Sequence, residues 1–341
     1  MKRICVVPRV GGVGGMVSFQ AKFVQGLLAR GYEVSYDLDD LPYQAVLVIG
    51  GTRDLPGLIR ARRKGIPVVQ RLNGMNWIHR KRRTGVRHYL RAEIGNWLLA
   101  TIRRSLVTHI IYQSQFARGW WERVYGPTAS PHSVVYNGVD LEQYTPQGSH
   151  ERPSACSRIL LVEGSLGGGY ELGLDTAIGL AERLVNSHSH KVELMVVGRV
   201  SDDLKAAALA RTQVPLIFAG LVPRQEIPYL DRSAHLLYAA DIQAACPNST
   251  IEALACGLPV VAFDTGALPE LVAGNAGRVV PYGGDAWQLD APDLDSLARA
   301  AAEVLANQEA FRPAARARAE QVFSLDDMLS GYIEALLSQA S

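Results

Sequence analysis

Apolar runs of strand length alternate along the chain with stretches whose apolar residues recur at helical spacing. In the first half the runs at 3–8, 33–38, 45–49, 67–72, 108–113 and 133–136 predict strands, and the periodicity predicts helices over 16–30, 54–64, 85–105 and 115–124. The pattern then restarts, with strands at 158–163, 192–197, 215–219, 234–239, 259–263 and 278–281 and helices over 172–186, 201–211, 225–231, 249–256 and 292–307. Such alternation builds βαβ units around parallel sheets. The expectation is an α/β protein of two Rossmann-like, doubly wound domains: residues 1–143, a linker at 144–154 rich in turn formers, and residues 155–323. An amphipathic helix with a Ser324 cap and Asp327 at its third position closes the chain within 324–341, packing either locally or back on the first domain.

A length of 341 residues suits two cores of roughly 150 residues each. No apolar run reaches the roughly 18 residues of a membrane span, and the charged start Met1-Lys2-Arg3 argues against a signal peptide, so a cytoplasmic protein is expected. Cys5, Cys156, Cys246 and Cys256 show no paired spacing and read as free thiols. The net charge of +2 conceals a split: residues 1–150 hold 21 Lys and Arg against 9 Asp and Glu, a net of +12, and the remainder carries −10. The two halves are therefore expected to meet different partners.

Chemistry concentrates at strand ends. The first βα turn, Gly11-Gly12-Val13-Gly14-Gly15, combines glycine freedom with a helix N-terminus, which presents unpaired amides to an anion. As a dinucleotide fingerprint it keeps Gly12 and Gly14 but has Val17 at the third glycine, which leaves a dehydrogenase reading, with Asp37 on a ribose, as an alternative. A second glycine run, Glu163-Gly164-Ser165-Leu166-Gly167-Gly168-Gly169-Tyr170, opens the second domain. Farther on, Ala245-Cys246-Pro247-Asn248-Ser249-Thr250-Ile251-Glu252 leads into a helix. It is followed by Cys256-Gly257-Leu258-Pro259, a buried strand, and Thr265-Gly266-Ala267-Leu268-Pro269-Glu270. Ser249 and Glu252 have the spacing of a capping box, in which the carboxylate serves the backbone.

The stretch from 244 to 272 resembles the donor-site motif of the retaining family 4 (group 1) glycosyltransferases of the GT-B fold, and Val135-Tyr136-Asn137-Gly138-Val139-Asp140 is similar to the segment closing their first domain. The resemblance implies two Rossmann-like domains facing across a cleft. It also implies metal-independent transfer of a sugar, with retention, from a nucleotide-diphosphate sugar to a saccharide or lipid-linked acceptor, and no cofactor. It places Glu252 on the donor ribose, with Asn73 standing where the family has a histidine against the transferred sugar; these two are the catalytic candidates. Gly12, Gly14, Gly164, Ser165, Gly168, Gly169, Tyr170, Arg199, Asn248, Ser249, Thr250 and Gly266 are the candidates for the nucleotide and phosphates, and Glu270 is either a ligand or a partner of its helix dipole. The chain departs from the family motif at three positions: Ala244 replaces the first of two glutamates, and Ser165 and Tyr170 replace an arginine and a lysine. A backbone nest with Arg199 as substitute cation is one account; the other is a donor site that accepts a donor with less charge or has decayed, as in a non-catalytic homologue that binds nucleotide or glycan or scaffolds an active partner. An epimerase or phosphorylase on the same fold has no specific residue in its favour.

On the acceptor side stand Arg71, Trp77 and His79, the last two equally readable as packing residues, followed by the basic run Arg80, Lys81, Arg82 and Arg83. Basic residues interleaved with Tyr89, Leu90, Trp97 and Leu98 suit an anionic membrane surface, giving a peripheral location. No nucleic-acid module accompanies the charge. The segment Glu163-Gly164-Ser165-Leu166-Gly167 misses a hydrolase elbow because Glu163 stands where glycine is needed. Asp37-Leu38-Asp39 reads as a loop rather than a metal site.

Overall fold

The computed structural model describes residues 2–12, 14–167 and 170–338. Gly168 and Gly169 therefore lie outside the described residues.

One compact unit runs to Gly138 and takes in the chain from Leu325. Its elements are β1 (Arg3–Val7), α1 (Gly15–Ala29), β2 (Glu33–Ser35), β3 (Ala45–Ile49), α2 (Leu55–Arg63), β4 (Val68–Leu72), α3 (Val86–Ser105), β5 (His109–Tyr112), α4 (Gln115–Tyr125) and β6 (His132–Val134). All pairings are parallel, in the order β2-β1-β3-β4-β5-β6, so the winding direction switches between β1 and β3. β3 and β4 are buried along their whole length, as expected for strands covered on both faces. The last helix, α12 (Leu325–Leu337), supplies Met328, Leu329, Tyr332 and Leu336 to the core formed by Phe19, Phe23, Leu27, Leu47 and Ile49. The Tyr332 ring lies 5.0 Å from Phe19 and 5.4 Å from Phe23.

The second unit, Val139–Ser324, holds β7 (Ser157–Ser165), α5 (Leu172–His188), β8 (Val192–Arg199), α6 (Asp202–Arg211), β9 (Leu216–Gly220), α7 (Ile227–Ser233) and β10 (Leu236–Ala239). It continues with α8 (Asn248–Ala255), β11 (Val260–Phe263), α9 (Leu268–Leu271), β12 (Gly277–Val280), α10 (Leu294–Ala306) and α11 (Gln308–Val322). Its order, β12-β11-β10-β7-β8-β9, is that of a dinucleotide-binding sheet, with the switch point between β7 and β10.

The stretch 144–154 is held by the second unit: Tyr144 is fully buried, its carbonyl accepts from Arg316 Nη1 at 2.7 Å, and Arg232 donates to the carbonyls of Thr145 and Ser149. Turn-forming residues identify a loop, but they do not show whether distant arginines will satisfy its carbonyls. One helix departs from the sequence reading: α11, whose inner face is Phe311, Ala315 and Ala319. Alanines at helical spacing give little hydropathy contrast, and Pro313 within the first turns hid the helix further.

Candidate functional site

In an open parallel sheet, ligands sit beyond the carboxyl ends of the strands at the switch point. In the second unit that edge is formed by the ends of β7, β8, β10 and β11 and the segments that follow them; Gly164 and Ser165 end β7, Arg199 ends β8, Asn248, Ser249, Thr250 and Glu252 lie in α8 after β10, and Gly266 follows β11. Ser165 pairs with Arg199 across β7 and β8, and Leu166 N donates to Arg199 O at 2.9 Å. The Arg199 side chain is exposed and has no hydrogen-bond or ion-pair partner among the described residues. It is thus a cation held beside the glycine loop. A Cβ built at Gly164 or Gly167 meets nothing within 4 Å among the described residues, so their packing does not require glycine at either position.

The opposite holds at Gly266. Its φ of 59° is left-handed, and a Cβ there would lie 2.5 Å from the Ala244 carbonyl oxygen. The turn is pinned to the strand-end loop: Gly266 N donates to Gln243 Oε1 at 3.2 Å and Ala267 N to Ala244 O at 2.8 Å. Where the family motif has a glutamate, this chain therefore offers a methyl group and a backbone that clasps the neighbouring turn.

α8 starts one residue earlier than the sequence suggested. Pro247 occupies the N-cap position and makes no side-chain cap, and Ser249 lies inside the first turn, so the capping box is not formed. Proline is favourable near a helix start because it sacrifices no hydrogen bond there; the sequence reading gave Ser249 priority by residue type alone. Asn248 and Ser249 are half-buried at this end, whereas Thr250 is fully buried, its hydroxyl without a hydrogen-bond partner among the described residues. Glu252 is mostly buried. Next to it, burial followed by the Glu252 charge pushes the Asp231 carboxyl well above its ordinary range.

A carboxyl pair that the sequence reading passed over lies at the switch point. Glu163, near the end of β7, and Asp241, just after β10, are both pushed upward, Asp241 to about 7. Loss of solvation is the main cause for each, and the Asp241 charge adds to it for Glu163. Both keep part of their surface accessible. Like charges brought together in a poorly solvated site share protons rather than ionise together. The same two carboxyls, after burial, raise Tyr170. The available signal was a glutamate in the otherwise apolar run Leu160-Leu161-Val162-Glu163.

In the first unit, Gly12 and Gly14 adopt φ of 95° and 133° at the switch-point end of β1, and Gly14 heads α1 without a side-chain cap. Gln20 fixes this loop, accepting from Val10 N at 2.9 Å and donating to Pro8 O at 2.8 Å. Asn73 follows β4, half-buried, with its carbonyl accepting from Trp121 Nε1 at 2.7 Å. Other acceptor-side candidates turn inward. Arg71 is 1% exposed, stacked 3.9 Å over Phe19 and bonded to Asn137, and Trp77 is buried. The buried His79 meets Glu93 Oε1 at 2.9 Å. Arg80 pairs with the same carboxylate; its hydrogen bond, joined by that of His79, holds Glu93 down to about 2. Arg71, Trp77 and His79 are therefore packed residues. Arg80 is committed to an ion pair, while Lys81 and Arg83 are exposed and Arg82 half-exposed. Asp39 is bonded to Arg60 Nη2 at 2.6 Å, and Asp37 accepts from Asp39 N, which makes this segment a braced loop.

Residues 157–307 match the family model "Glycosyl transferases group 1", and residues 38–143 match "Glycosyltransferase Family 4". No curated protein matches the chain by sequence. Among solved structures it is similar to sucrose-phosphate synthase from Thermosynechococcus elongatus, with a TM-score of 0.75 at 14% identity over 100% of both chains. It is also similar to WaaG, a glycosyltransferase involved in lipopolysaccharide biosynthesis, with a TM-score of 0.71 at 15% identity over 98% of this chain and 99% of that one. Anabaena HepE, solved with UDP-glucose, gives 0.70 at 17% identity over 99% of this chain and 100% of that one. With both sheets wound in this way and each half matched by its own family model, the chain belongs to the group 1 and family 4 glycosyltransferases of the GT-B fold.

Proposed function

We propose that this glycosyltransferase moves a sugar from a nucleotide-diphosphate donor to a saccharide or lipid-linked acceptor with retention of configuration and without a metal. The observation that carries the donor reading is the edge formed by the β7 and β8 loops. There, Gly164 and Gly167, which packing among the described residues does not require, lie beside the Arg199 cation, unpartnered among those residues, and the α8 N-terminus, without a side-chain cap, opens from the same edge of the sheet. Backbone amides and one guanidinium can bind a diphosphate where the family uses side-chain cations. Glu252, a carboxylate able to accept from a vicinal diol, is the ribose contact.

The retaining outcome rests on the resemblance to the retaining family. With a methyl group at position 244, same-face transfer would have a leaving phosphate oxygen of the donor take the acceptor's proton as the acceptor oxygen bonds to the anomeric carbon and the bond to the phosphate breaks. The protein contributes positioning and stabilisation of the leaving group. Metal independence draws on the commitment of Asp37 and Asp39 to internal bonds. Because HepE was solved with UDP-glucose, uridine diphosphate is the probe of choice. Calorimetric titration in the presence of a chelator is expected to show binding that Arg199→Gln weakens. No heat with uridine, guanosine or adenosine diphosphate would overturn the donor reading.

A further inference from the structure

The outward face of α3 has the wrong polarity for a solvated helix. The inner face anchors the helix through Ala92, Asn96, Ile102 and Arg103; Asn96 accepts from Asn76 N at 3.0 Å and donates to Asn76 O at 2.8 Å. Val86, Leu90, Ile94 and Trp97, spaced four, four and three residues apart, fall on the side opposite that anchor. They are 77%, 54%, 63% and 62% exposed. Tyr89 is not part of this stripe, because its ring packs edge-on at 5.0 Å against His79. Contiguous exposed apolar surface of this kind marks an interaction site.

Charge selects the occupant. Between residues 80 and 105 the chain has eight Lys and Arg and one acid, Glu93, which Arg80 already engages. Arg83, Arg87, Arg91 and Arg104 are exposed and have no ion pair among the described residues. A second copy on this face would set these cations against their own counterparts. An anionic bilayer takes both features at once: the apolar stripe enters the acyl boundary while the guanidinium groups, snorkelling on their stems, meet lipid phosphates. The stripe covers eleven residue steps, about 16 Å of helix axis. No helix among the described residues is long and apolar enough to cross a membrane.

We infer that α3 lies flat in the interface of an anionic membrane, with Leu90, Ile94 and Trp97 inserted, and is the element that docks this protein to the lipid surface. The inference stands independently of the donor chemistry. The test is flotation of the full chain with phosphatidylcholine vesicles, with or without phosphatidylglycerol. The wild type is expected to float with the anionic vesicles and to be released by salt, as screening of exposed charge requires. The triple variant Leu90→Gln, Ile94→Gln, Trp97→Gln keeps good helix formers on exposed positions, so its thermal unfolding should match the wild type while its partitioning falls about tenfold or more. Replacing Arg83, Arg87 and Arg91 by Gln should remove the preference for anionic lipid. Failure of the wild type to float would overturn the inference, as would equal flotation of the triple variant. Concentration-dependent self-association that the triple variant abolishes, without vesicle binding, would reassign the face to a second copy.

Discussion

Arg71 Nη2 donates to Asn137 Oδ1 at 3.0 Å, and Gln113 Nε2 donates to the same oxygen at 2.7 Å, all three side chains being buried. The asparagine of the 137–140 motif thus ties the ends of β4 and β5 to the segment leaving β6. It acts here as an internal bracket whatever else the motif does. Asn137→Ala is expected to destabilise the protein by about 2–4 kcal/mol, since a buried cation loses an acceptor. Asn137→Asp, which preserves the acceptor, should recover part of that loss. Chemical denaturation of the two variants is the measurement; equal stability of Asn137→Ala and wild type would refute the bracket.

Gly266 and Gly164 make opposite demands. Gly266→Ala forces a side chain into a left-handed turn against the Ala244 carbonyl and should cost at least about 1–3 kcal/mol. Gly164→Ala meets no neighbour and should leave the melting temperature unchanged. If the 164–170 loop receives phosphate, however, Gly164→Ala weakens uridine diphosphate binding. Unchanged affinity in a folded Gly164→Ala variant would sink the phosphate role of that loop.

Replacing Glu252 separates ligand contact from structural support. In the ribose reading, Glu252→Gln loses a charge-assisted hydrogen bond and weakens nucleotide binding by roughly 1–3 kcal/mol. Stability should hold or rise, because the Glu252 charge opposes ionisation of the buried Asp231. A fall in melting temperature with undiminished affinity would show that Glu252 serves only the fold.

The Glu163 and Asp241 pair makes stability depend on pH. Both carboxyls have folded-state values above their ordinary ones, so between about 4, where the unfolded chain ionises, and about 7, the value for Asp241, the unfolded state releases protons that the folded state keeps. Stability therefore falls as pH rises through this window. Asp241→Asn should remove much of the penalty, raising the melting temperature at pH 8 and making little difference at pH 4. Nucleotide diphosphate affinity in the wild type should likewise rise as pH falls through 7, since a protonated pair repels the ligand less. A wild-type and Asp241→Asn difference independent of pH would show that the pair does not share protons.

Local rules acting on this sequence were enough to determine the alternation of strands and helices, the restart of the pattern in the second half and the strand-end positions of the glycine loops. Apolar runs, helical spacing and glycine punctuation are short-range properties, and the strands and most of the helices follow from them, whereas the order of strands in each sheet is set by long-range pairing. Tertiary structure decided which of the named side chains face outward. Arg71, His79 and Thr250 have the residue types of a binding site, but long-range packing turned them into the interior, where Phe19, Asn137 and Glu93 engage the first two. It also placed Glu163 within reach of the Asp241 charge, residues 78 positions apart in the chain, so that burial and this neighbour push the Glu163 carboxyl upward in a way that neither local segment encodes. On α3 the apolar residues were visible as an amphipathic stretch. Only the anchoring of Ala92 and Asn96 showed that the stripe on the far side is exposed, because which face of a helix is buried depends on what the rest of the chain places against it.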